Sequence, residues 1–260
     1  MSAVLFFSQL VGLAIALAAV AILRMPLPVP ADVAWGVVAG VCGTAGLAAL
    51  YTAIATTIVA VASPVAAVVG AVIPVALGVA AGERPDAFAW AGIAVALPAI
   101  ALLTIAPGTG AGAGAGAGTG AESPRRAALL GTVAGTGFGL FFFAVSRTGS
   151  GSGLWPLVAA RVSTISLVGL AAAVTRRTLR PDRGSARALA AAGALDMGAN
   201  VAFLLASRSG MLSIAAAVAA LYPGPTVLLA WIVFRERLTL PRIAGLVLAL
   251  AGVALISAGQ

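Results

Sequence analysis

Apolar residues along this chain form long continuous runs, separated by short polar or arginine-containing connections. Each run is about 20 residues, which as a helix crosses a hydrocarbon layer of about 30 Å. Only helices satisfy every backbone group inside lipid over runs of this length, so the pattern predicts an all-α polytopic membrane protein. The predicted spans are 4–23, 33–54, 58–81, 88–106, 127–147, 153–175, 188–206, 211–234 and 241–258.

Composition agrees with this fold class and excludes several chemistries. The chain is 62% apolar and 8% charged, whereas soluble domains carry about 25% charged residues. With no histidine and only Cys42, a transition-metal site or a Cys–His nucleophile has no ligands to use. With no lysine, a Walker-type phosphate loop is excluded as well, so neither ATP nor another cofactor is predicted. All 15 basic residues are arginines, and most of them lie between the runs, which indicates topology setting and not nucleic-acid binding.

Residues 107–126 differ from the rest of the chain, because they are mainly alternating glycine and alanine. A tract without side chains to bury behaves as a flexible tether. It divides the chain into a first part, 1–106, and a second part, 127–260.

The two parts resemble each other at a spacing of 153 residues. The most specific match is an acid followed nine residues later by glycine: Glu83 and Gly92 correspond to Glu236 and Gly245. The run 127–147 has no counterpart before residue 1, so the first repeat shows four helices where the second shows five. We expect the genomic sequence upstream of Met1 to encode about 20–30 further apolar residues in frame. A true nine-helix protein is the alternative.

Two smaller features of the repeats have structural interpretations. Glu83 and Glu236 each lie beside arginine at the end of a span and are interpreted as ion pairs that close a hairpin. Two ridges of glycine are expected to be helix contacts, since no strand precedes them as a dinucleotide fingerprint would require. The ridges are Gly36, Gly40, Gly43 and Gly46, and Gly131, Gly135 and Gly139.

Five helices per repeat, a Gly-Glu-Arg or Arg-Glu-Arg sequence after the fourth, and a glycine-containing fifth helix resemble the EamA-type transporters of the drug/metabolite transporter superfamily. The resemblance covers nearly the whole chain, and the hairpins of Glu83 and Glu236 are its most specific parts. It implies a ten-helix carrier built of inverted repeats, moving small organic metabolites. The helix that this chain lacks helps to line the central cavity in that family.

The charge pattern and the resemblance disagree about orientation. Arginines concentrate on one face, and the positive-inside rule would make that face cytoplasmic and the C-terminus external. The resemblance implies a cytoplasmic C-terminus, and we give it slightly more weight. The arginine-rich face carries Arg125, Arg126, Arg176, Arg177, Arg180, Arg183, Arg187, Arg235, Arg237 and Arg242; the other carries Arg24, Arg84, Arg147 and Arg208.

Asp196 is the most informative candidate for a functional residue, because it lies near the middle of a predicted span. A charged side chain there costs about 2.5–3.5 kcal/mol or more, and such residues usually serve function. Asn200 follows at i+4 on the same helical face. Arg161, inside another span, is predicted either to pair with Asp196 or to contact an anionic group of the substrate; a purely structural clamp and a snorkelling arginine are the alternatives.

Prolines predict helix breaks at corresponding places in the two repeats, at Pro64 and Pro74 and at Pro223 and Pro225. Proline cannot donate to the carbonyl four residues earlier, and paired breaks of this kind indicate the binding site of a carrier, a packing kink being the alternative. The predicted cavity is lined by Tyr51, Ser63, Thr136, Arg161, Asp196, Asn200, Tyr222 and Thr226.

The predicted function is a secondary carrier in the plasma membrane that exports a small organic metabolite by alternating access around a midplane cavity. Proton coupling and a homodimer are left open, and the partners are the metabolite and the lipid bilayer. The alternative is a membrane protein that does not transport, either a lipid-handling enzyme or a structural partner. An intramembrane enzyme would need a second acid or a base beside Asp196, and the spans supply neither, so we predict that the protein is not an enzyme.

Overall fold

The computed structural model describes residues 2–56, 59–105, 124–176, 186–234 and 239–258, and over these ranges the secondary structure is helical, without strands. The described ranges contain ten α-helices and one short 3-10 turn, Ser150–Ser152. The helices are α1 (Ser2–Ile22), α2 (Pro30–Thr56), α3 (Val59–Ala80), α4 (Ala87–Ile105), α5 (Pro124–Ser146), α6 (Trp155–Val174), α7 (Ala186–Ser209), α8 (Leu212–Ala219), α9 (Pro223–Phe234) and α10 (Leu240–Ala258).

The predicted membrane spans are confirmed, with small shifts at their ends. Within the described ranges, nine helical stretches are long and apolar enough to cross a membrane. One of them joins α8 and α9, which divide the predicted span 211–234. Helix α5 begins at Pro124, so the last three residues of the predicted linker 107–126 are helical, and the rest of it lies outside the described residues.

The helices form two compact units that do not coincide with the two sequence repeats. The first unit comprises Met1–Thr44 and Leu140–Ser209, and the second comprises Ala45–Gly139 and Gly210–Gln260. Each unit therefore contains helices from both repeats, and α2 and α5 contribute residues to both.

In the first unit, helices pack closely where glycine takes the place of a side chain. A Cβ on Gly40 of α2 would lie 2.4 Å from the Ala160 carbonyl oxygen of α6, and one on Gly193 of α7 would lie 2.5 Å from the Ser8 carbonyl oxygen of α1. Gly40 and Gly193 are equivalent positions in the two repeats. The contact of α2 with α6 is thus repeated by the contact of α7 with α1, as an internal repeat requires.

In the second unit, α4 packs against α10 through contacts that are reciprocal between the repeats. A Cβ on Gly92 of α4 would lie 2.5 Å from Ile256 Cγ1, and one on Gly245 of α10 would lie 2.8 Å from Leu103 Cγ. Gly92 is equivalent to Gly245, and Leu103 is equivalent to Ile256. Such an exchange of equivalent residues is the mark of a two-fold relation, as in an isologous interface.

The glycine ridge of α5 is also a helix contact, as predicted. Cβ atoms on Gly131 and Gly135 would lie 2.5 and 2.6 Å from the carbonyl oxygens of Ala62 and Ala66 in α3. Only glycine permits two backbones to approach this closely.

The predicted helix break is present in the second repeat and wrong for the first. Helix α3 continues through both Pro64 and Pro74, whereas the chain turns between α8 and α9, just before Pro223. A proline removes one backbone hydrogen bond, and a helix whose other bonds persist can kink without ending.

The carbonyls next to the break are not left free, as the proline pattern had suggested. The Ala219 oxygen accepts a bond from the Tyr222 N–H at 3.2 Å, and the Leu221 oxygen accepts one from the Gly224 N–H at 2.9 Å. A tighter turn has replaced the bonds that Pro223 and Pro225 cannot donate. The break therefore offers no exposed carbonyl at these two residues.

Glu83 has a different role from the predicted hairpin ion pair. Its two carboxylate oxygens accept the backbone N–H groups of Leu212 at 2.6 Å and Ser213 at 2.9 Å, at the start of α8. This is helix capping by an acid, which the partial positive charge of the N-terminus favours. The equivalent Glu236 lies outside the described residues.

Candidate functional site

The candidate site is in the first unit, where Arg161 is held between two helices. One guanidinium nitrogen, Nη1, donates to Gln9 Oε1 of α1 and lies 2.6 Å from Asp196 Oδ2 of α7. The side chain of Arg161 is 9% exposed, so its positive charge is almost entirely buried within the protein. Of the two roles predicted for Arg161, pairing with Asp196 is present in the structure.

Asp196 is much less buried than its partner, because 48% of its side chain is exposed. Asn200, one turn later on α7, donates through Nδ2 to the Asp196 backbone oxygen at 2.7 Å and to Oδ1 at 3.3 Å. The two carboxylate oxygens thus differ: Oδ2 faces the arginine and Oδ1 faces the amide. The i+4 spacing read from the sequence accounts for this arrangement.

Gln9 is a member of the site that the sequence analysis missed. It is 7% exposed and lies 152 residues before Arg161. The same spacing of 152 separates Ser8 of α1 from Ala160 of α6. Their carbonyl oxygens contact Gly193 and Gly40, which are equivalent positions of the two repeats. Gln9 and Arg161 are therefore structural equivalents that meet each other across the repeats. A glutamine inside an otherwise mainly apolar run was the available signal.

Glycines allow α1 to approach the charged pair. A Cβ on Gly12 would lie 3.4 Å from Arg161 Nε and 3.5 Å from Cζ, so one edge of the guanidinium is bordered by a residue without a side chain. Gly193, three residues before Asp196, brings α7 against α1. The helix contacts and the charged contact are thus formed by neighbouring residues.

The other predicted site residues belong to the second unit. Tyr222 is exposed, and Thr226 donates from its hydroxyl to the Tyr222 backbone oxygen at 3.0 Å. Tyr51 on α2, Ser63 on α3 and Thr136 on α5 are each partly buried. Their participation in one cavity with Arg161, Asp196 and Asn200 stays a prediction.

A second polar cluster of the first unit fixes the connection between α5 and α6. Asp32, buried at the start of α2, accepts bonds from the Ser152 hydroxyl at 2.5 Å and from the Gly149 N–H at 3.1 Å. Arg208 donates to the carbonyl oxygens of Gly149 at 2.7 Å and Gly153 at 2.8 Å. Among the described residues, the hydrogen bonds that the Asp32 carboxylate accepts come from this connection, so we interpret the cluster as structural.

A family model described as the EamA-like transporter family matches residues 125–258. A solved structure titled "Crystal structure of protein" is similar with a TM-score of 0.71 and 17% identity, covering 99% of this chain and 86% of that one. At this identity the likeness concerns the fold alone. No curated protein matches the chain.

Proposed function

The chain belongs to the EamA-like transporter family, and on that premise we propose that it is a secondary carrier that exports a small organic metabolite across the cytoplasmic membrane. Membership makes it a multi-pass membrane transporter of the drug/metabolite type. The cargo, the direction and the use of a proton gradient are the parts that we propose.

The observation that carries the proposal is the unequal burial of the Arg161–Asp196 pair. A structural clamp would bury both charges and pair all their polar atoms, since a charge left half-paired in a membrane span is costly. Here the arginine is buried and the carboxylate is 48% exposed. An exposed carboxylate in the middle of an apolar span is suited to exchange its partner, and that exchange is what a coupled carrier needs.

In the proposed mechanism, Asp196 alternates between Arg161 and a proton or a substrate group. Release of Asp196 from Arg161 frees α7 from α6, and re-formation of the pair resets the carrier. Asn200 would keep the carboxylate oriented during the exchange, because its amide bonds both the carboxylate and the backbone of Asp196. The helices that move would be those that contact each other at Gln9, Arg161 and Asp196.

The test is transport by purified protein in proteoliposomes with and without an imposed proton gradient, using a panel of radiolabelled metabolites. Asp196→Asn keeps the shape and one of the two acceptor atoms but cannot ionise, so we expect gradient-driven transport to be abolished while insertion and fold persist. Asp86→Asn is a matched control: Asp86 lies outside the spans and accepts the Ala89 N–H at 2.7 Å, which an asparagine oxygen also does. Wild-type coupled rates in Asp196→Asn would make the pair a structural clamp and refute the proposed site.

A further inference from the structure

The guanidinium of Arg161 has one nitrogen that the chain does not satisfy. Nη1 donates a hydrogen bond to Gln9 and forms an ion pair with Asp196. Nη2 is buried and has no hydrogen-bond partner among the described residues. Leaving a buried donor unsatisfied is unfavourable, and more so for a charged group. A buried donor without a partner needs an explanation, and a ligand that reaches it is one.

We propose that Nη2 of Arg161 binds a carboxylate of the transported molecule, so that the substrates are small monocarboxylates. This rests on the proposed carrier function and specifies its cargo. Nε and Nη2 share one edge of the guanidinium, and Gly12 borders the Nε side without a side chain. A carboxylate matches such an edge with two parallel charge-assisted bonds, which are about twice as strong as neutral ones.

The charges around Arg161 favour a monoanion over a phosphate ester. Asp196 already lies 2.6 Å from Nη1 and neutralises much of the cation. A phosphate monoester brings a charge of about −1.5 to −2 at neutral pH, and its repulsion with Asp196 would be correspondingly larger. A neutral carbonyl would satisfy Nη2 with one bond only and without charge assistance.

Gln9 is a positioning residue in this arrangement. It holds Nη1 with a neutral oxygen, so the guanidinium is fixed in place without a second negative charge beside it. Glutamate has the same shape but would add that charge and compete with a substrate carboxylate. Gln9→Glu therefore tests the charge requirement with little change of shape.

The experiment measures binding to the full chain in phosphatidylcholine nanodiscs, by ligand-induced thermal stabilisation and by counterflow in proteoliposomes. The probes are butyrate, lactate, benzoate and phenylacetate, each with its primary amide, and phenyl phosphate. We expect at least one carboxylate to bind about 30-fold more tightly than its amide, since an unpaired buried donor costs about 2 kcal/mol. Absence of binding by every carboxylate, equal binding of the amides, or tighter binding of phenyl phosphate would each overturn the assignment.

Variants locate the effect at Arg161. Arg161→Lys keeps the charge but loses the planar fork, and Gln9→Glu keeps the fork but adds an anion; each should lower carboxylate affinity about tenfold or more and leave amide binding unchanged. Arg84→Lys, at an exposed arginine of the second unit, is the control and should bind as wild type. Carboxylate affinity that is unchanged in both site variants would show that Arg161 does not bind the ligand.

The results separate this inference from the carrier proposal. If Asp196→Asn loses gradient-driven transport while amides bind as well as carboxylates, the carrier mechanism stands and the substrate class is wrong. If carboxylate binding depends on Arg161 but Asp196→Asn transports normally, the ligand assignment stands and the coupling role of Asp196 fails.

Discussion

Two places in the molecule bring equivalent helices of the repeats together, and they differ in chemistry. In the second unit, α4 meets α10 through glycine and aliphatic side chains, with Gly92 against Ile256 and Gly245 against Leu103. In the first unit, α1 meets α6 through Gln9 and Arg161, and Asp196 forms an ion pair with Arg161. One contact has equivalent residues on both sides, and the other has an uncharged residue facing a charged one.

The difference shows how a duplicated fold can separate stability from function. A reciprocal apolar contact needs the same small and aliphatic residues in both copies, so the sequence repeat is visible there. A charged site needs one cation and one anion, and a symmetric pair of arginines would repel. The α1/α6 contact has therefore kept the equivalent positions and changed the residues.

The largest effect is expected from converting the polar contact into an apolar one, in the triple variant Gln9→Leu, Arg161→Leu and Asp196→Asn. Transport should be abolished, because no ionisable group is left in the site. The free energy of unfolding should be unchanged to within about 1 kcal/mol, since an ion pair with one half-exposed partner contributes little and the two leucines need no desolvation. Transport assays and detergent-induced unfolding on the same preparation measure both. A clear loss of stability would show that the polar contact holds the unit together.

A smaller effect is expected from Gly92→Ala in the apolar contact. The new Cβ would lie 2.5 Å from Ile256 Cγ1 and 2.7 Å from the Gly252 carbonyl oxygen, and the backbone oxygen cannot rotate away. We expect the free energy of unfolding to fall by about 1–3 kcal/mol. Gly245→Ala should act in the same direction, because its contact with Leu103 is the repeat equivalent. Unaltered unfolding in both variants would mean that the α4/α10 contact is looser than described.

The sequence predicted the membrane spans well, because each depends only on a run of apolar residues. It also singled out Asp196, Asn200 and Arg161, which lie together in the structure, since polar residues inside such runs are conspicuous. Contacts between helices were harder: Gln9 looked unremarkable until the structure placed it against Arg161 at a spacing of 152, one residue different from the 153 of the sequence repeat.

The corrections concern backbone geometry that local sequence does not determine. A proline removes the same hydrogen bond in α3 as before α9, yet only the second position ends a helix. Whether a kink becomes a break depends on the neighbouring helices and on the turn that can replace the lost bonds. Glu83 likewise looked like the partner of an adjacent arginine, whereas its acceptors meet the start of α8, 129 and 130 residues further along the chain.

The smallest effect is expected from Gly12→Ala, which makes at the polar contact the same change as Gly92→Ala at the apolar one. The new Cβ would lie 3.4 Å from Arg161 Nε and 3.6 Å from the Gly193 carbonyl oxygen, which are ordinary van der Waals distances. Alanine is favoured over glycine within a helix by up to about 1 kcal/mol, so unfolding should be unchanged or slightly less favourable than in wild type. The methyl group would, however, lie beside the guanidinium edge assigned to the substrate, and carboxylate affinity should fall a few-fold while amide binding stays the same.

Parallel unfolding and binding measurements on Gly12→Ala and Gly92→Ala give a matched pair. A loss of stability in Gly12→Ala as large as that in Gly92→Ala would show that both contacts are equally tight, and the contrast between a packed contact and a binding contact would not hold.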